Sequence, residues 1–186
     1  HRIRPLLADV DVDIRWRPFL VGGVHNAVNQ RFVESRSTDL ASPKWQHTAR
    51  VLFDWAALSG VTMNFPNKHH PLRSVHAMRF CCQLEADQSA LLGFMEACFD
   101  AFFTHKRNLD DPAELIDIAA ACGLDGDALA AGCQDQAVKD HQRANTEDAI
   151  ARGAFGSPTI FVPTAQGERL YFGNDQLPLV KWALEG

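Results

Sequence analysis

A proline stands at the entrance to an apolar stretch in "AFGSPTIFV" (154–162), and this placement limits the possible folds more than any other feature. The stretch from Thr159 to Val162 is rich in β-branched and aromatic residues, which is typical of a strand. Proline has no backbone N–H, so it sits at edges, first residues or bulges and not inside a central strand. Local sequence alone favours an edge strand that binds nothing, and a turn that serves a ligand is the alternative.

Hydrophobic periodicity predicts an early strand, a helical region, a late hairpin and a final helix. Val12, Ile14 and Trp16 alternate with charged residues, which predicts a half-buried strand over 12–17. Capping residues, 3.6-residue periodicity and terminal glycines predict helices over 43–59, about 72–82, about 91–103, 112–122, about 126–133 and about 135–152. The hairpin strands are predicted at 159–162 and 169–172, and the last helix near Asn174-Asp175.

The balance of these elements predicts an α/β fold with a large helical insertion. Gly22-Gly23 is predicted to break the chain, and the polar residues 24–42 to form a loop. The helices are too numerous to be crossovers for three strands, so most of them must form a block of their own. We predict one domain made of about 1–40 and 145–186, with a helical insertion over about 42–144, and a sheet whose first strand is missing.

Composition excludes several classes of function. The net charge of −5 disfavours a nucleic-acid binder, and no apolar stretch approaches the length of about 20 residues that spans a membrane. The five cysteines contain no C-x-x-C pair, which disfavours zinc and favours buried, structural thiols in a reducing compartment. We therefore expect a cytoplasmic protein that holds no metal.

Four segments resemble one enzyme family in the expected order. They are "WRPFLVGG" (16–23), "PLRSVHAMRF" (71–80), "ANTEDAIARGAFGSPTIFV" (144–162) and "YFGNDQLPLV" (171–180). The chain is similar to 2-hydroxychromene-2-carboxylate isomerases and kappa-class glutathione transferases, which are DsbA-like members of the thioredoxin superfamily. The resemblance implies a thioredoxin-like fold and a cis bond at Ser157-Pro158. In that arrangement the main chain of Ser157 can pair with an extended peptide such as glutathione.

The resemblance also implies further glutathione contacts. The family's lysine at a helix start falls on Lys44, and its loop asparagine on Asn29, although Asn26 is close by. The family's polar pair before the last helix falls on Asn174 and Asp175, where ordinary N-capping is the other explanation. The family usually has arginine after this aspartate and here has Gln176, and the usual Gly-Asn-Lys-Pro-Pro loop is absent.

The implied activity is a glutathione-dependent isomerisation of 2-hydroxychromene-2-carboxylate during the breakdown of fused aromatic compounds. Glutathione would supply the sulfur nucleophile, and the protein would supply orientation. The family's first strand and catalytic serine are absent from this sequence, so no catalytic residue can be named. The alternatives are a kappa-class transferase, a DsbA-like thiol-disulfide oxidoreductase and a non-catalytic glutathione-binding module. We expect a homodimer with a small aromatic substrate.

Overall fold

A computed structural model describes residues 1–28 and 42–186. The helices are α1 (Ile3–Leu6), α2 (Val21–Val28), α3 (Pro43–Leu58), α4 (Val75–Leu84), α5 (Gln88–Phe99), α6 (Pro112–Ala121), α7 (Gly126–Gly132), α8 (Gln136–Ala151) and α9 (Leu177–Glu185). A π-helical turn, Asp100–Thr104, continues α5, and a 3-10 turn, Asn174–Gln176, precedes α9. The strands are β1 (Thr159–Thr164) and β2 (Gly167–Phe172). The predicted ligand Asn29 lies outside the described residues.

The described residues divide into two compact units. The first unit contains 1–14, 21–61 and 147–186, and the second contains 15–20 and 62–146. The α/β fold with a thioredoxin-like hairpin is confirmed, whereas the boundary between a thioredoxin-like part and an inserted part stays a prediction.

The first unit is organised around the antiparallel β1–β2 hairpin, in which Thr159 pairs with Phe172 and Thr164 with Gly167. One face of the hairpin packs against α1 and α9 through Leu7, Val162 and Val180. Side chains alternate along a strand, so Phe161 and Phe172 belong to the opposite face. The Arg152 guanidinium lies 3.8 Å from the centroid of the Phe161 ring on that face.

The second unit has a helical core. Phe80 of α4 stacks on Phe94 of α5 with ring centroids 5.5 Å apart, and both rings are fully buried. Leu115 and Ile118 of α6 join them on one apolar stripe, and Cys133 closes the cluster after α7. This unit therefore has an independent hydrophobic centre made of consecutive helices.

Local capping rules predict the helix ends well. The Ser42 hydroxyl accepts a hydrogen bond from the Trp45 N–H at the start of α3, and Gly60 follows its end at φ 66°. Asp111 caps α6 by accepting from the Ala113 N–H at 3.0 Å. Glu114, three residues after this cap and so at the position that completes a capping box, instead pairs with Arg107. A side chain with a cationic neighbour thus prefers that ion pair to the cap.

Two predictions near the start of the chain are wrong. Residues 12–17 are not a strand: Ile14 and Trp16 are half-buried and Arg15 between them is exposed, but Val12 is exposed as well. Side chains can alternate between buried and exposed without hydrogen bonds to a neighbouring strand, and the described residues provide no strand that pairs with this segment. Gly22 and Gly23 lie inside α2, where burial of Val24 offsets the low helix propensity of glycine.

A buried carboxylate joins three segments of the second unit. Glu85, only 6 % exposed, accepts hydrogen bonds from Asn145 at 2.6 Å and from Arg17 at 3.1 Å. His141 Nε2 lies 2.9 Å from Glu85 Oε2, the same oxygen that accepts from Asn145. Because a buried carboxylate without donors is costly, this set of partners specifies how 15–20, α4 and α8 meet inside the unit.

We expect Glu85→Ala to lower the free energy of unfolding by about 2–3 kcal/mol, since Asn145 and Arg17 then lose a buried acceptor. Urea denaturation followed by circular dichroism measures the change. Glu147→Ala, which removes an exposed carboxylate from the same helix as Asn145, is the matched control and should change stability by less than about 0.5 kcal/mol. Equal midpoints for the two variants would contradict the assignment.

Candidate functional site

The turn before β1, residues 153–158, carries the first part of the candidate site. The Ser157-Pro158 peptide bond is cis, as predicted. Gly153 has φ 92°, a left-handed conformation that favours glycine, and Ala154 is buried beside it. The Thr159 hydroxyl donates to the Gly156 carbonyl at 2.7 Å and closes the turn internally. The turn is therefore held in place at both ends, with residues 157 and 158 exposed between them.

Ser157 is the polar residue of this turn that lacks internal partners. Across residues 1–28 and 42–186, nothing hydrogen-bonds to its N–H, its C=O or its hydroxyl. Most backbone groups that lie next to a strand are paired with protein or water. An exposed donor and acceptor beside an ordered strand can therefore receive a ligand without breaking any bond of the fold.

A second turn, Gly173–Gln176, lies against the first. The Gly173 N–H donates to the Pro158 carbonyl at 3.1 Å, and this bond extends the hairpin by one pair. Gly173 has φ 99°, and a Cβ there would lie 2.6 Å from Asp175 Oδ1. The Asp175 carboxylate thus folds back over the turn, where it also accepts from the Gln176 amide at 2.9 Å.

The carbonyl of Asn174 ties this turn to the rest of the first unit. It accepts a hydrogen bond from Arg2 at 3.1 Å, and the Arg2 guanidinium lies 4.1 Å from the centre of the Trp55 ring. The backbone of Asn174 is therefore engaged by the protein, while its side chain makes no hydrogen bond within the described part of the chain. Of the predicted ligands, Ser157, Pro158, Asn174 and Asp175 come together around these two turns.

Lys44 lies near the start of α3, whereas Trp55 lies near its end. Lys44 is in the first turn of that helix, eleven residues before Trp55, which corresponds to about 16 Å of helix axis. Its side chain is exposed, and no carboxylate among the described residues pairs with it. Among the described residues, no contact joins Lys44 to the turns at Pro158 and Gly173, so a shared role would require a ligand that reaches both.

Two exposed phenyl rings lie beside the Ser157 turn and were missed by the sequence analysis. Phe155 and Phe172 are 46 % and 39 % exposed, and their ring centroids are 4.6 Å apart. A Cβ on Gly156 would lie 2.6 Å from the Phe172 ring, so glycine lets the ring rest on the backbone. We call these two residues the Phe155/Phe172 pair. Large apolar side chains that remain exposed together often mark a binding surface.

The cysteines of the chain are poor nucleophiles in the folded protein. Burial raises the pKa of Cys82 and of Cys98 to about 12, and raises the pKa of Cys81 further. The pKa values of Cys122 and Cys133 are also raised, mainly by burial. A reactive thiol needs a lowered pKa, so none of these five groups is set up as a thiolate.

Residues 1–28 and 42–186 contain neither a metal-binding cluster nor a membrane-spanning helix. No group of three or more His, Cys, Asp or Glu side chains is arranged to hold a metal ion. No helix in these ranges combines the length and the apolar character needed to cross a membrane.

The hairpin fold and the cis bond at Ser157-Pro158 indicate the class of protein. The model of the DSBA-like thioredoxin domain matches residues 1–185, and the chain belongs to this family. No curated protein sequence matches the chain. The resemblance predicted from "GSPTIFV" and the neighbouring segments is confirmed at this level.

Solved structures show the same fold. The structure of a 2-hydroxychromene-2-carboxylate isomerase has 22 % identity and a TM-score of 0.74, and the match covers 99 % of this chain and 85 % of that one. A probable DsbA oxidoreductase from Streptomyces coelicolor has 21 % identity and a TM-score of 0.62, covering 76 % and 59 %. A Nitrosomonas europaea protein with a provisional assignment as a protein disulfide isomerase has 15 % identity and a TM-score of 0.56, covering 89 % and 96 %.

We expect iodoacetamide at pH 8 to label Cys122 in the folded protein and to spare Cys81, Cys82, Cys98 and Cys133. With a pKa of about 12, about one thiol in ten thousand is ionised at pH 8, and the four spared residues are buried. Peptide mass spectrometry maps the labels, and urea-denatured protein, in which all five should react, is the control. Labelling of Cys98 as fast as Cys122 would contradict the raised pKa.

Proposed function

We propose that the protein is a glutathione-dependent isomerase that acts on 2-hydroxychromene-2-carboxylate or a closely related aromatic compound. The observation that carries the proposal is the unpaired main chain of Ser157, placed between the Asp175 turn and the Phe155/Phe172 pair. This arrangement offers a peptide-binding edge, an exposed carboxylate and an apolar surface within a few residues of one another. The fold shared with the isomerase structure supports the choice.

The Ser157 turn suits the central residue of glutathione. Its N–H and C=O can pair with the cysteinyl C=O and N–H, as an added strand pairs with a sheet edge. Because no described residue pairs with these groups, binding would exchange their hydrogen bonds to water for bonds to glutathione without breaking a bond between described residues. The cysteinyl sulfur would then lie next to Pro158.

The Asp175 turn suits the γ-glutamyl end, which carries an ammonium and a carboxylate. The Asp175 carboxylate would bind the ammonium by a charge-assisted hydrogen bond. The Asn174 amide, which has no hydrogen-bond partner in the described residues, would donate to the carboxylate. Lys44 is a candidate for the opposite, glycyl carboxylate, because it is separated from this turn along α3.

The aromatic surface would orient the substrate. When bound, glutathione supplies a thiolate that adds reversibly to a conjugated double bond, which permits rotation before the thiol leaves. The Phe155/Phe172 pair would stack on the substrate ring and hold the reacting carbon over the Ser157 turn. The raised pKa values of the chain's own cysteines favour a thiol brought by a ligand over one supplied by these residues.

The test is conversion of 2-hydroxychromene-2-carboxylate by the protein, followed by absorbance with and without glutathione. We expect interconversion that requires glutathione and leaves its concentration unchanged. Stoichiometric loss of glutathione would replace the proposal with a transferase. Retention on a glutathione column without turnover would replace it with a binding module, and disulfide exchange with an oxidoreductase.

Asp175→Asn should weaken glutathione binding about tenfold, because the ammonium of glutathione then loses its charged partner. The asparagine oxygen can still accept the hydrogen bond from the Gln176 amide, so the turn itself is preserved. Isothermal titration calorimetry measures the affinity. Glu168→Gln is the matched control, because it removes a carboxylate far from the site. Glu168 lies opposite Pro163 in the hairpin, and Pro163 is five residues, about 17 Å along the strand, from Pro158. If both variants bind glutathione as wild type does, Asp175 has no part in the site.

Phe172→Leu should raise KM for the aromatic substrate about three- to tenfold, since stacking on the ring is lost while an apolar side chain remains. The glutathione affinity should stay within twofold of wild type. Steady-state kinetics with each compound varied in turn separates the two effects. The substrate role fails if both constants change together, or if neither changes.

A further inference from the structure

The second unit contains a pocket that takes no part in the proposed function. It is an open pocket of about 640 Å³ lined by Pro66, Asn67, Lys68, His105 and Lys106, of which Asn67 is buried and the other four are exposed. Two of its five lining residues are lysines, although the whole chain has a net charge of −5. The local sign of charge is therefore the reverse of the protein's average.

The walls of the pocket are a loop that contains Asn64 and Asn67 and the end of the π-helical turn, which are joined by hydrogen bonds. Asn67 is buried, and its amide donates to the Phe102 carbonyl at 2.9 Å. The Asn64 N–H donates to the Phe103 carbonyl at 2.7 Å, and its side chain to the Thr104 carbonyl at 2.7 Å. Carbonyls left unpaired at the end of a helix are satisfied in this way. The loop and the turn therefore form one fixed frame.

The two lysines of the pocket are not neutralised by the described residues. Neither Lys68 nor Lys106 forms an ion pair or a side-chain hydrogen bond there. The nearby Asp100 carboxylate lies 3.3 Å from His105 Nε2. Arg107, the next residue, faces other partners, because Glu114 and Asp117 both pair with it. An entering anion would thus meet two lysine ammonium groups, and a histidine that already contacts the Asp100 carboxylate.

Lys106 occupies a backbone position that suits glycine. It has φ 55°, and it is the one non-glycine residue among those described that has a positive φ. The Arg107 N–H after it bonds to the Ala101 carbonyl at 2.9 Å, as in the caps that usually place glycine at the left-handed residue. A side chain in this conformation costs about 1–2 kcal/mol, and such residues cluster at functional sites. Glycine would suit this conformation better than lysine does.

We propose that this pocket binds the phosphate group of a small molecule. Two lysines present the compact point charges that phosphate binding uses, and their combined charge matches a dianion. Pro66 supplies an apolar wall on which the organic part of such a ligand can lie. The pocket belongs wholly to the second unit and uses none of the residues proposed for glutathione.

The test is a titration of ¹⁵N-labelled protein with inorganic phosphate at pH 7.5 and constant ionic strength, followed by amide chemical shifts. We expect saturable shifts at Asn67, Lys68, His105 and Lys106, with a dissociation constant in the millimolar range. Phenyl phosphate, which adds an apolar group, should bind at least fivefold more tightly. Shifts that never saturate, or a phosphate ester that binds more weakly than phosphate, would overturn the proposal.

Lys106→Gly separates a functional lysine from a structural one. The melting temperature should stay the same or rise, because glycine suits φ 55°, while phosphate binding should weaken at least fivefold. Lys68→Ala should weaken binding by a similar factor. Lys139→Ala removes the same charge from α8 and should leave the affinity within twofold. The site is disproved if Lys106→Gly binds phosphate as wild type does, or if Lys139→Ala weakens binding equally.

Discussion

The hydrogen bond from the Gly173 N–H to the Pro158 carbonyl holds the candidate site together. The hairpin register places Thr159 opposite Phe172, and this bond adds one further pair beyond the ladder. It brings the Ser157 turn and the Asp175 turn to the same end of the sheet, although 17 positions separate Pro158 from Asp175. The arrangement of polar groups therefore depends on register, since a slip by one residue would reverse the faces of β2.

Local chemistry made much of the fold predictable. Helix caps such as Ser42 and Asp111, and the left-handed glycine Gly60, act within a few residues, so the sequence reveals them directly. The strand expected over 12–17 failed because alternation of burial does not show whether a partner strand exists. The Gly22-Gly23 break failed because burial of a neighbouring side chain outweighed propensity.

The candidate site was predictable only where one short segment carried the information. Ser157, Pro158, Asn174 and Asp175 each follow a recognisable local pattern, and the structure brings them together. The Phe155/Phe172 pair arises from residues 17 positions apart, so it required the register of the hairpin and the absence of a side chain at Gly156. The separation of Lys44 from these turns likewise required knowing which part of α3 faces Asn174.

Both proposed sites occur where the chain departs from local preference. Buried polar groups such as Glu85 and Asn67 have several partners each, as the cost of an unpaired group demands. Ser157 keeps its backbone groups unpaired among the described residues, and Lys106 adopts a glycine-like conformation inside the cap that Arg107 and Ala101 close. At position 106 a glycine would relieve the backbone conformation, so the lysine there is not the choice that local preference favours. The two proposals assign each feature a ligand of different chemistry: an extended peptide beside Ser157, and a phosphate between two lysines.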